Sequence, residues 1–448
     1  MQQNLTGGSV FRNVVRFACP YLFSYFLQTL YGMADLFIVG QYEPVAATTA
    51  VSIGSQVMHM LTVMLVGLAM GTTVTIAQAV GAEDKPRAAR AIGNTVTLFG
   101  AISVCLMALL LVLVRPITAV MSTPADAVSG TISYLTICFA GIPFITAYNI
   151  ISAIFRGMGD SKSPMKIIAA ACVCNIALDY LFMGAFHLGP AGAALGTTLS
   201  QAFSVLYAFA AIRKSGFEIP LGRGDFRLER SVAGSILKIG VPITCQDGLI
   251  QVAFIIITII ANQRGLTDAA AVGIVEKIIS FLFLVPSSML STVSALGAQN
   301  FGAGKPERAR KTLLYAILLA AGFGIVVAAI VQFVAEPIVG LFTPDTAAVL
   351  AGGQYLRGYV FDCIFAGLHF SFSGYFCACG KSGLSFLHNI IAIACVRVPG
   401  VWLMSRLYPT TLFPMGLATA AGSGLSVVIC VIAFTVLRKK EMRAAAGA

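Results

Sequence analysis

Apolar stretches of about 20 residues recur along nearly the whole chain, and a helix of that length crosses the hydrocarbon core of a bilayer. Twelve are found, near 15–40, 48–78, 91–114, 129–155, 167–187, 192–212, 239–262, 270–296, 312–335, 347–376, 385–405 and 412–437. In lipid no water satisfies the backbone N–H and C=O groups, so spanning segments of this length must be helices. Composition agrees, because 58% of the residues are hydrophobic and 10% are charged, against about 25% charged in soluble domains. The fold expected is an all-α membrane protein with twelve transmembrane helices. The second, fourth and tenth stretches exceed a minimal span, which tilt or extension into water absorbs. The opening MQQNLTGGSVFRNVVRFACP lacks a signal-peptide pattern, so the first helix is expected to be retained.

Lys and Arg set the orientation. With a cytoplasmic N-terminus, 23 of the 29 basic residues fall on the cytoplasmic side. Only Arg115, Arg264, Arg357 and Arg406 fall outside, with Lys277 and Arg397 inside spans. Both termini are therefore expected in the cytoplasm. The net charge of +11 is a topology signal rather than a nucleic-acid patch.

The two halves repeat each other. AQAVGAEDKPRAAR (77–90) returns as AQNFGAGKPERAR (298–310), and VRPITAVMSTPAD (114–126) as AEPIVGLFTPD (335–345). IFRGMGDSKS (154–163) is echoed by YFCACGKSG (375–383), and Pro20 by Pro242. Four matches in order at one displacement mark a duplication. Six spans per copy give both copies one orientation, so two six-helix bundles related by a pseudo-two-fold axis along the membrane normal are expected. The expected division is an N-lobe over 1–213, a cytoplasmic linker over 214–231 and a C-lobe over 232–448.

Ionisable groups inside the spans are costly and face a protein interior or a watery cavity. Asp35, Asp179, Asp247, Glu276 and Asp362 lie there with Lys277 and Arg397. Adjacent Glu276 and Lys277 point about 100° apart on a helix, so they pair poorly with each other. Structural pairing is the favoured reading for these two and for Arg397, with Arg397 neutralising an acid of the second half. In NIALDYLF (175–182), Asn175 and Asp179 stand i,i+4 on one helix face. An amide oxygen and a carboxylate one turn apart suit a small cation or a shared proton. At 1.5 Å per residue, Asp179 lies roughly 20 Å beyond Lys166, and Asp35 roughly 28 Å beyond Arg16, a similar depth in the outer half of the membrane. The two carboxylates are thus candidates to share one H⁺ or one Na⁺. The competing reading of Asp35 is a helix end at the outer interface.

GPAGAALGTTLS (189–200) and FPMGLATAAGSG (413–424) open the last helix of each half. Their small residues favour close helix packing, while Thr197 and Thr198 add hydroxyls available to a polar site. Pro20 and Pro242 sit early in the first helix of each half as candidate hinges. No HExxH, GxSxG, Walker or EF-hand signature occurs, and the four His residues are scattered. The cysteines read as small buried hydrophobes. No enzyme, no cofactor and no resident metal is expected; without a Walker loop, an ion gradient is the expected energy source.

MADLFIVG (33–40), AQAVGAEDKPRAAR with its echo, FRGMGDSKSP (155–164), NIALDY (175–180) and LGPAGAALGT (188–197) together resemble the multidrug and toxic compound extrusion (MATE) family in a bacterial form. The resemblance implies two lobes, alternating access, and antiport of cationic or amphipathic compounds against H⁺ or Na⁺ across the bacterial inner membrane. It implies an N-lobe cation site of Asp35, Asn175 and Asp179 with Thr197 or Thr198. Some members carry a Glu on the seventh helix as part of a second-lobe ion site; GLIQVAF (248–254) has none here. Asp362, with Asp247, Glu276 and Arg397, is the remaining candidate for a polar site in that lobe. Small molecules and lipid are the expected partners, with no nucleic acid, and the chain is expected to act as a monomer. A lipid-linked sugar flippase of the same superfamily is the alternative, although the N-lobe spans carry acids and no Lys or Arg. A major-facilitator porter also has two six-helix halves, but EDKPRAAR fits its loop signature badly.

Overall fold

The computed structural model describes residues 5–215 and 219–446, so part of the expected linker, 216–218, lies outside the described residues. The elements run α1 (Val10–Tyr42), α2 (Val45–Gly81), α3 (Lys85–Val120), α4 (Ala125–Ala140), α5 (Ile142–Gly157), α6 (Lys162–Asp179) and α7 (Gly189–Ser215). After a 3₁₀ turn at Arg223–Phe226 come α8 (Arg230–Asn262), α9 (Leu266–Leu282), α10 (Leu284–Gly302), α11 (Pro306–Gly340), α12 (Thr346–Tyr359) and α13 (Asp362–Ala378). The chain then continues through α14 (Gly383–Ala392), α15 (Val398–Leu407) and α16 (Phe413–Ala446). No strand occurs among the described residues.

Ten segments are long and apolar enough to cross a membrane as they stand, and two bent pairs bring the total to twelve. The bent pairs are α4 with α5, at 48°, and α12 with α13, at 41°. The sequence reading runs each of these as one span, and both breaks have local causes. At the first, Pro143 lacks the N–H that would continue the helix. A Cβ on Gly141 would stand only 2.7 Å from the Thr198 side chain, so α7 presses on the corner. At the second, Val360 O accepts from Cys363 N at 3.0 Å and Phe361 O from Ile364 N at 3.1 Å, a tightened turn that redirects the helix. Two further spans contain a widened π turn, at Tyr180–Ala185 after α6 and at Ile393–Arg397 between α14 and α15.

The chain forms two compact units. One gathers Cys19–Gly240; the other gathers Thr6–Ala18 with the chain from Val241 onward. The division falls beside Pro20 and Pro242, inside α1 and α8. In the first unit, Asn94 of α3 holds the segment that leads into α8. Its amide donates to Asp225 O at 3.3 Å and its oxygen accepts from Glu229 N at 2.7 Å, while Thr97 Oγ1 donates to Phe226 O at 2.7 Å. In the second unit, α11 holds the segment that leads into α1. Arg308 donates to Gly7 O at 2.9 Å and Gly8 O at 3.0 Å, and Lys305 Nζ to Thr6 O at 3.1 Å. Gly8 has φ +67°, a left-handed backbone that glycine takes without strain.

Asn94 is fully buried and serves three backbone groups at once, Arg90 O one turn back on its own helix as well as Asp225 O and Glu229 N. Asn94→Ala is therefore expected to cost about 1–3 kcal/mol through the unpaired Glu229 N–H. It should lower the melting temperature in detergent and expose 219–229 to protease before the helices are cut.

Small residues let helices of the second unit close on one another. A Cβ on Gly374 would strike Leu290 O, one on Gly416 would stand 2.6 Å from Tyr359 N, and one on Gly367 would lie 2.9 Å from Ala320 Cβ. His388 of this unit is fully buried, its ring nitrogens 2.9 Å from Ser373 Oγ and 3.2 Å from Ser426 Oγ.

Candidate functional site

Three helices of the first unit converge on one buried polar cluster. Asp35 comes from α1, Asn175 and Asp179 from the last turn of α6, and Thr197 from α7. The residue just past α1 sets the alignment. Glu43 Oε1 accepts from Gly189 N at 3.1 Å where α7 starts, and Gly189 has φ +56°. Asp35 lies eight residues before this clamp and Thr197 eight after it. At 1.5 Å per residue both sit about 12 Å along their helices from the shared anchor, and so meet at one level. There Thr197 Oγ1 donates to Asp35 Oδ2 at 3.1 Å.

Asn175 and Asp179, both fully buried, face this pair over Gly196. A Cβ on Gly196 would collide with Asp179 Oδ1 and come within 3.6 Å of Asn175 Nδ2. The missing side chain is what lets the carboxylate lie against the α7 backbone. Immediately after Asp179 the helix widens into the Tyr180–Ala185 π turn, a feature frequent at functional sites.

The cluster is unusual in what it leaves unpaired. Asp35 Oδ1, both Asp179 oxygens and both polar atoms of Asn175 are buried without a hydrogen-bond partner. Asp35 is 2% exposed and Asp179 is not exposed at all. Burying polar atoms without partners costs several kcal/mol in total, and two facing carboxylates cost more. A proton shared between the acids, or a small hard cation held by carboxylate, amide and hydroxyl oxygens, satisfies this set. The cluster's donors are all hard oxygens, of two carboxylates, an amide and a hydroxyl, which suit a light cation rather than a soft transition metal.

Thr198 stands apart from the cluster, with its hydroxyl donating to Ile137 O at 3.4 Å by the α4–α5 corner. In the second unit, Arg397 Nη2 pairs with Asp362 Oδ2 at 3.2 Å, and Thr258 Oγ1 donates to Glu276 Oε2 at 3.2 Å. Lys277 is exposed, and Asp247 is half-buried on α8. Sequence reasoning missed Gly196, Glu43 and Tyr31. The Tyr31 hydroxyl lies 3.4 Å from Thr197 O and 3.5 Å from Ser200 Oγ. It stands one helical turn before Asp35, a spacing that would have flagged it.

The family model MatE matches residues 20–181 and again 242–403, the second match displaced by 222 residues at both ends. A probable multidrug resistance protein, YpnP of Bacillus subtilis, is 28% identical over 406 residues, 90% of each chain. Multidrug export protein MepA of Staphylococcus aureus is 25% identical over 407 residues, 90% of this chain and 89% of its own. An outward-facing multidrug resistance MATE family transporter of the MOP superfamily superposes with a TM-score of 0.91 at 22% identity, over 98% of this chain and 99% of that one. The duplicated match coincides with the displacement of Pro20 to Pro242, and the twelve-span helical fold agrees with it: the chain belongs to the MatE family of multi-pass membrane transporters.

Proposed function

We propose that this protein is a secondary active antiporter of the bacterial inner membrane that exports cationic or amphipathic organic compounds in exchange for H⁺ or Na⁺. The observation that carries this reading is the set of five buried, unpartnered polar atoms on Asp35, Asn175 and Asp179. Such a set is stable only with a positive charge or a proton in it. A cation or proton entering the cluster removes the negative charge that retains a cationic substrate, so each displaces the other. Thr197 and Gly196 position the acids, and the prolines inside α1 and α8 supply candidate bending points where one backbone hydrogen bond is missing. The placement of 23 of 29 basic residues supports cytoplasmic termini. The multidrug relatives support the substrate class.

Ethidium efflux from cells expressing the protein tests this. A protonophore or removal of external Na⁺ is expected to abolish efflux, and the effective treatment names the coupling ion. Efflux indifferent to both, or absent for every cationic dye tried, sinks the proposal; the second outcome favours a flippase.

A further inference from the structure

The second repeat holds a positive charge of its own where the first must recruit one. IIAAACVC (167–174) of α6 returns as IIAIACVR (390–397), a local displacement of 223 that puts Arg397 at Cys174 and Asp179 opposite Trp402, whereas the 222 of the family match puts Arg397 at Asn175 and Asp179 opposite Val401. By the displacement of Pro20 to Pro242, Asp35 falls opposite Ile257, which is fully buried. In either register both acids of the first cluster have apolar counterparts, and a guanidinium stands at the position of the amide or next to it.

Its surroundings are those of a bound organic cation. Arg397 is 6% exposed. One guanidinium nitrogen donates to the Tyr359 hydroxyl at 2.7 Å and to Asp362 at 3.2 Å. The guanidinium carbon lies 5.5 Å from the Phe254 ring centre and 5.8 Å from that of Tyr359, within cation–π range. The titratable groups within electrostatic reach are Asp362 and His369 of α13, Tyr355 and Tyr359 of α12, and Glu276 of α9. The backbone around Arg397 is seated as tightly as its charge: a Cβ on Gly422 would lie 2.7 Å from Arg397 Cβ. The residue closes the Ile393–Arg397 π turn, whose extra residue shifts the side-chain register along this span.

We propose that Arg397 is a tethered cation that fills the acidic pocket of the second unit, excludes a mobile ion from Asp362 and Glu276, and confines ion coupling to the Asp35–Asp179 cluster. It is a specificity-determining residue, setting one coupling ion per chain. The inference rests on the coupling role proposed for that cluster. An arginine suits the task because its charge persists across physiological pH and its planar fork keeps several donors aimed at once.

The test counts ions on the purified full-length protein in detergent, using radioactive Na⁺ binding and, in parallel, protons released on a jump from acid to alkaline buffer, taken as differences between variants. Wild type is expected to bind one ion, and Asp35→Asn with Asp179→Asn none. Arg397→Met is expected to bind two, because Asp362 and Glu276 then recruit their own. Arg397→Met with Asp362→Asn, which replaces the pair by neutral groups and should fold even where the single variant does not, is expected to return to one. A wild-type count of two overturns the proposal, as does a folded Arg397→Met that still binds one ion, or a double variant that loses the wild-type ion. If the Asp35 and Asp179 substitutions leave the count unchanged, the coupling role of the first cluster fails, a result separate from the response of Arg397→Met.

Discussion

Cells expressing the protein with Asp35→Asn and Asp179→Asn together should clear ethidium no faster than cells lacking it, whichever gradient is applied. The two carboxylates are the ionisable groups of the buried cluster, and Asn preserves their size and most of their hydrogen-bonding geometry. What it removes is the charge that an entering ion neutralises. Losing a buried counter-charge costs about 3 kcal/mol, or roughly a hundredfold in ion affinity, for each acid. The same exchange relieves two facing carboxylates of their desolvation, so the double variant should melt no lower than wild type in ion-free buffer. Lost transport with retained stability separates a coupling role from a structural one. Efflux above about a tenth of wild type would mean that the charges do not carry the cycle.

The second large effect concerns a residue with no functional group. Gly196→Ala should reduce efflux by roughly ten- to a hundredfold, equivalent to about 1.4–3 kcal/mol in ion binding. Two effects of the new methyl oppose each other. In a helix Ala is favoured over Gly by about 0.5–1 kcal/mol, because the unfolded glycine is the freer chain. Against this, the methyl occupies the space of Asp179 Oδ1. The colliding atom belongs to a side chain, so the carboxylate rotates away and α7 keeps its place. The expected outcome is a protein near wild-type stability that binds its ion weakly, checked by melting temperature and ion titration on one preparation. Unchanged ion affinity would show that the approach of Asp179 to the α7 backbone is incidental.

Much of the architecture is legible in the sequence because it rests on local quantities. The length of an apolar run limits a span to a helix, and repetition of GAEDKPRAAR and RPITAVMSTPAD reveals the duplication without any contact being known. The Asn175–Asp179 face follows from helix period alone. What escapes depends on contacts between distant segments. Gly141 reads as one glycine among many until Thr198 is seen against it. Glu43 reads as a helix-end acid until Gly189 is found donating to it across 146 positions. That Arg397 neutralises an acid of the second half is legible from its place in a span, but that the acid is Asp362, 35 positions away, depends on the α12–α13 bend and the π turn.

The segments that Asn94 and Arg308 hold also bear on how such a chain is assembled during synthesis. Residues 6–18 are made before the spans from α8 onward, yet they belong to the unit those spans complete. The carbonyls of Thr6, Gly7 and Gly8, just ahead of α1, are therefore made well before Lys305 and Arg308, the side chains that hold them. The segment before α8 meets no such delay, because Asn94 is already in place when residues 225–229 appear. Two halves alike in sequence thus mature in different orders. A product truncated before α8 would lack the partners of residues 6–18 and would be a ready target for quality-control proteases.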